Sequence, residues 1–163
     1  MIAATTLRDI WEGIATSHEA GLSFHSLWNV VLDEDHDATF PRCIWKEPTQ
    51  QGITAGANRM LDAFTLQVWF EDQTTTERTT DQRDTAHSDM SLVARECFYR
   101  FTSLYCQSVT AFGGQDIDLR LEGGYTLTPY FDKAGTMTTG VSLTFTVVDQ
   151  ALPCVTSDLF PIT

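Results

Sequence analysis

The chain reads as a single α+β domain spanning residues 1–163: a mainly antiparallel sheet of about six strands, with one main helix at about 89–107 and a short N-terminal helix packed against it. Three observations predict this class. Apolar residues fall at helical spacing in two stretches, Leu7 to Ile14 and Met90 to Tyr105. Several other stretches alternate apolar and polar residues with a period of two, the signature of half-buried strands. Short glycine or acidic turns separate most of those stretches, which favours hairpins over helical crossovers and places the helices on one face of the sheet.

In chain order, Leu7, Ile10, Trp11 and Ile14 recur at i, i+3, i+4 and i+7, one apolar stripe of a helix over about 6–19. Thr6 is placed to cap it, Asp9 stands three residues on, and Gly21 is the expected stop. Phe24, Ser26, Trp28, Val30 and Leu32 share one face of a first strand, and the acidic run Asp33–Asp37 is its turn. Thr39 to Lys46 reads as a second strand that Pro41 pushes toward a sheet edge. Pro48 to Asn58 is polar and reads as a loop. Leu61 to Phe70 is a strong strand with Phe64, Leu66, Val68 and Phe70 on one face. Glu71 to Asp89 is almost wholly polar, so a long exposed loop is expected at about 71–88, followed by the main helix with Ser88 as its cap. Gly113-Gly114 closes that segment. Ile117, Leu119 and Leu121 alternate with polar neighbours, Gly123-Gly124 suits a two-residue hairpin turn, and Tyr125 to Phe131 returns. Gly140 to Val148 is the cleanest strand, with Val141, Leu143, Phe145 and Val147 on one side. An irregular tail is expected from about 150.

Composition narrows the function. Hydrophobic residues make up 42% of 163, ordinary for a globular core. Twenty-two acidic against ten basic side chains give a formal charge of -12. Such a surface repels phosphate backbones and anionic membranes at long range. The basic residues are scattered, unlike those of a nucleic-acid reader. Met1 to Thr6 is too short and polar for a secretory h-region, and no apolar run reaches the length of a membrane span, so synthesis and residence in the cytosol are expected. Cys43, Cys97, Cys106 and Cys154 form no C-x-x-C pair, so free, buried thiols are expected.

Chemistry-bearing patterns are sparse. Nucleotide-binding glycine loops, zinc-protease helices and nucleophile elbows are all missing. Asp33, Glu34, Asp35, His36 and Asp37 offer hard-cation donors, but without the glycine and terminal glutamate of an EF-hand they read as a solvated turn. Asp81, Asp84, His87 and Asp89 read as negative charge favoured by the first turn of the main helix. His18 stands near a helix C-terminus, where a cation is favoured, and neither it nor His25 has a nucleophile beside it in sequence. No catalytic, cofactor-binding or metal residue is therefore assigned, and no enzyme activity is expected. What remains is assembly: Thr74, Thr75, Thr76, Glu77, Arg78, Thr79 and Thr80 read as an arm that orders against a neighbouring subunit, and Trp45 and Trp69, on the less apolar faces of their strands, as interface candidates.

The order of elements resembles the tail terminator and tail-completion proteins of tailed bacteriophages. The likeness rests on the strand Leu61–Phe70, the polar loop to Asp89, the helix Met90–Tyr105, and the closing strands Tyr125–Phe131 and Gly140–Val148. It implies a virion structural subunit, a homo-oligomer with six copies in a ring, seated between tail tube and head-completion proteins and letting DNA pass without binding it specifically. The acidic run Asp33–Asp37 has no place in that pattern. A tail tube or distal tail protein is the nearest alternative. A small-molecule-binding domain with a pocket lined by Trp28, Phe64, Trp69 and Tyr130 is the alternative from another class.

Overall fold

A computed structural model describes residues 2–27, 39–55, 59–73, 80–131 and 138–150. The elements are α1 (Ala4–Thr16), β1 (Ser23–Ser26), β2 (Arg42–Ala55), β3 (Arg59–Gln73), α2 (Thr80–Tyr105), β4 (Thr110–Phe112), β5 (Gln115–Ile117), β6 (Leu119–Phe131) and β7 (Thr138–Asp149). Five strands form one sheet in the order β1-β2-β3-β7-β6, and β4-β5 form a separate two-stranded ribbon. The α+β class is as the sequence predicts. The sheet is mixed, because β1 runs parallel to β2 while every other pair is antiparallel. Parallel neighbours need a long connection, and residues 27–41 supply one.

Both helices lie on one face. Leu7, Ile10, Trp11, Ile14 and Ala15 are the buried side of α1. Met90, Val93, Ala94, Cys97, Phe98 and Phe101 are that of α2. They close over Phe64, Leu66, Val68 and Phe70 of β3 and Val141, Leu143, Phe145 and Val147 of β7. At the centre Trp11 stacks on Phe101 with ring centroids 5.3 Å apart, and Phe145 packs edge-on against Phe98 at 5.1 Å. Aromatic pairs at such separations add attraction beyond the area they bury.

Several boundaries differ from expectation, each for a physical reason. Helix α1 starts at Ala4, before the expected Thr6, with Ala3 at the N-cap making no side-chain cap bond. The Ile2 N–H instead donates to the Asp149 carboxylate at 2.6 Å, tying the start of the chain to the end of β7. The helix ends at Thr16, and Gly21 follows in a left-handed turn (φ 66°) whose N–H returns to the His18 carbonyl. Strand β2 does not stop at Lys46. It passes Pro48 through a register shift between Lys46 and Thr49 and stays paired with β3 to Ala55. Its polar residues 49–52 are exposed, so main-chain pairing rather than burial holds this half, and a bulge accommodates the proline's missing N–H.

The expected loop at 71–88 is shorter, since β3 continues to Gln73 and α2 begins at Thr80. Among the described side chains, the first turns of α2 bury only Ala86 before Met90. They carry little apolar periodicity, and Asp81 suits the positive end of the helix. Ser88, the expected cap, is an exposed residue inside the helix. Gly113 and Gly114, both with positive φ, make the two-residue turn between β4 and β5. Gly123-Gly124 is not a hairpin: it interrupts the pairing of β6 with β7 between Glu122 and Tyr125. Two extra residues preserve the period of two, so Leu121, Tyr125 and Leu127 all remain packed on the core side. Gly140 is required where it stands, because a Cβ there would lie 2.1 Å from the Phe70 carbonyl oxygen.

Candidate functional site

The second face of the sheet carries a different set of side chains. Cross-strand register places Thr65 and Gln67 of β3, Ser142, Thr144 and Thr146 of β7, and Thr126 and Thr128 of β6 side by side. Thr65 and Thr146 share a hydroxyl hydrogen bond of 3.1 Å, the Gln67 amide donates to the Ser142 hydroxyl at 3.0 Å, and Lys46 Nζ donates to Gln67 Oε1 at 3.0 Å. The centre of this face is thus an array of hydroxyls and amides, bordered by Lys46 on β2 and by Glu122 opposite Thr146 on β6.

At one end of the array lies a buried ionic clasp. Arg42 and Glu71 face each other across β2 and β3 and are 7% and 3% exposed. The Arg42 guanidinium donates to one carboxylate oxygen of Glu71, and the Tyr130 hydroxyl donates to the other at 2.5 Å. Arg42 also lies over the Phe40 ring, 4.7 Å from its centroid, a cation–π contact. Trp69 and Tyr130 sit beside the clasp with ring centroids 6.1 Å apart. Nothing in the sequence read alone marks this set, since residues 29 positions apart become partners only through strand register.

A cleft of about 420 Å³ opens between the end of α1 and α2, lined by Ile14, Ser17, His18, Glu19, Glu96, Cys97 and Arg100. The Ala20 N–H donates to His18 Nδ1 at 3.1 Å, which assigns the ring proton to Nε2, and Nε2 donates to Glu96 Oε2 at 3.0 Å. Burial pushes the Cys97 thiol up to about 12. It stays protonated at neutral pH, and the thiolate is the nucleophilic form. His18 and Glu96 tie two helices together here, and the cleft offers a cation and two carboxylates for binding rather than an activated nucleophile.

The residues singled out from sequence scatter. Thr74 to Thr79, Trp28, Asp33 to Asp37 and Cys154 lie outside the described residues, and Thr80 opens α2. The pocket expected from Trp28, Phe64, Trp69 and Tyr130 does not form as drawn. Phe64 is buried on the helix side, while its strand neighbours direct Trp69 to the opposite face. Trp45 is fully buried in the core, not at an interface, because it shares a face with Val68. Of Asp81, Asp84, His87 and Asp89, only Asp81 lies in the first turn of α2. Cys43 and Cys97 are buried and Cys106 half-buried, all three as free thiols. Among the described residues no group of three or more His, Cys, Asp or Glu side chains is placed to hold a metal ion, and no helix is long and apolar enough to cross a membrane.

No family model matches the chain, and neither does any curated protein. Solved structures do show likeness. One of them aligns over 94% of this chain and 99% of its own at 14% identity, with a TM-score of 0.47, too slight a similarity to carry an argument.

Proposed function

We propose that this chain is a structural subunit of a tailed-phage particle, forming a homo-oligomeric ring at the head–tail junction through which DNA passes. The observation that carries the reading is the hydroxyl and amide array on the helix-free face of the sheet, which Lys46 alone among the described basic side chains is seen to bond, in a chain of net charge -12. A wall of that kind meets a phosphate backbone without the cluster of lysine and arginine contacts that grips it and releases counterions. The order of elements supports the same reading: a short helix, a strand series, one long helix across the sheet, and closing strands. In this reading the ring contacts tail tube and head-completion proteins, and the protein resides in the virion after synthesis in the host cytoplasm. Mass spectrometry of purified tailed particles tests it. The chain is expected among their components at a fixed copy number. Intact, infectious particles that lack it refute the reading.

One observation favours a second reading. The cleft between α1 and α2, with Arg100, His18 and Glu96 around it, is a place where a small polar ligand can bind. A thermal-shift screen that raises the melting temperature in the wild type, but not in Arg100→Ala, would favour ligand binding.

A further inference from the structure

Two helix stripes face solvent, one on each helix. On α2, Leu92, Arg95 and Tyr99 recur at i, i+3 and i+7, so they lie on one face. Leu92 and Tyr99 are 53% and 57% exposed, unusual for large apolar side chains on the outside of a helix. Tyr99 leans on Tyr125 of β6 with ring centroids 6.3 Å apart, extending the patch onto the sheet's outer strand. The Arg95 guanidinium donates to the Ser91 carbonyl at 3.2 Å and has no ion pair among the described residues. On α1, Thr5, Asp9, Glu12 and Thr16 recur at i, i+4, i+7 and i+11, all exposed. That face carries the carboxylates of Asp9 and Glu12. Asp9 is engaged by Arg8 at 2.9 Å, and Glu12 adds to the acidic field on the same guanidinium, so the two carboxylates outnumber the one cation on this face.

The two stripes belong to helices over different strands. Helix α1 packs over β1 and β2, while α2 packs over β3, β7 and β6, so they stand toward opposite ends of the strand order. Copies carrying a charge of -12 repel one another, and a stable contact must set a cation or apolar surface against acid. The Arg95 and Tyr99 stripe meets that condition, and the acidic face of α1 is its complement. We propose that the Leu92–Arg95–Tyr99 face of α2, with Tyr125, docks a second copy of this chain through the Asp9–Glu12 face of its α1. The inference rests on the ring reading above and names its subunit contact. A contact between two different surfaces that is not reciprocated is heterologous, the type that generates rings when the rotation closes.

Sedimentation equilibrium of the full chain over a concentration series tests this. The wild type is expected to self-associate. Arg95→Glu, Tyr99→Ser and Glu12→Arg are each expected to weaken association by roughly tenfold or more, since a central aromatic and an isolated charge pair dominate such patches. Unchanged circular dichroism and melting temperature would show that these exposed substitutions leave the fold intact. The double variant Arg95→Glu with Glu12→Arg re-creates the opposite charges across the contact and is expected to recover most of the loss. Association unchanged in both Arg95→Glu and Tyr99→Ser overturns this surface while leaving the ring reading standing on another one. A wild type that stays monomeric at every concentration also overturns it, and particle composition then decides the function separately.

Discussion

On β7, Val141, Leu143, Phe145 and Val147 turn toward the helices, while Ser142, Thr144 and Thr146 turn away. The same strand therefore borders two environments 180° apart. On the helix side, aromatic rings from α1, α2, β3 and β7 close over one another and exclude water. On the other side, hydroxyls and amides bond laterally across strands, with one buried ionic clasp at the end. The difference teaches where stability and function separate. The helix side holds the main core, while on the other side the clasp and a small buried cluster of Leu61, Ala63 and Val148 flank the hydroxyl and amide array.

Substitution on the two faces breaks the comparison most sharply. Phe145→Ala removes a ring that touches Trp11, Phe98 and Phe101. It is expected to cost about 3–5 kcal/mol, read from the urea midpoint. Thr144→Ala, one residue away on the other face, is expected to stay within about 0.5 kcal/mol. Equal costs would mean that the helix-free face is covered in solution.

The clasp is the exception on its face. Arg42→Ala leaves the Glu71 carboxylate buried without its cation, with an expected loss of about 3–5 kcal/mol, whereas a paired replacement of Arg42 and Glu71 by Met and Leu should recover most of it. Chemical denaturation of the single and double variants distinguishes a true buried charge from a solvated one.

A smaller effect lies in pH. Cys97 and Cys106 are both pushed from an ordinary 9.0 to about 12 by burial, and Cys43, on the dry face, is also raised by burial. A raised thiol keeps its proton in the folded state while the unfolded chain loses it. Stability from this source is fully present below pH 9 and falls as pH rises toward 12. The urea midpoint is expected to decline over that window, and Cys97→Ala should flatten the decline.

Much of this fold was legible in the sequence wherever one face of an element is buried. The i, i+3, i+4, i+7 spacing from Leu7 to Ile14 marked α1, and strict alternation marked β3 and β7. The misses share a cause. The second half of β2 and the first turns of α2 are held by main-chain pairing and helix propagation, with little apolar burial to leave a pattern. Two Gly-Gly pairs looked alike, and only strand register separates the β4–β5 turn from the interruption in β6. Trp45 was placed on the wrong face because Pro41 and Arg42 blur the alternation of its strand. The clasp and the stripes on α1 and α2 need tertiary placement: Arg42 finds Glu71 by register, and Tyr99 is conspicuous only once Phe98 and Phe101 are seen to be buried beside it.

Copies of this chain are expected to assemble head to tail through the stripes of α2 and α1. Light scattering of the wild type, with negative-stain images of the same sample, checks this. The expected result is a discrete multimer near six times 18.2 kDa that images as an open annulus. A strict monomer at the highest attainable concentration, or a two-fold dimer that goes no further, would contradict it.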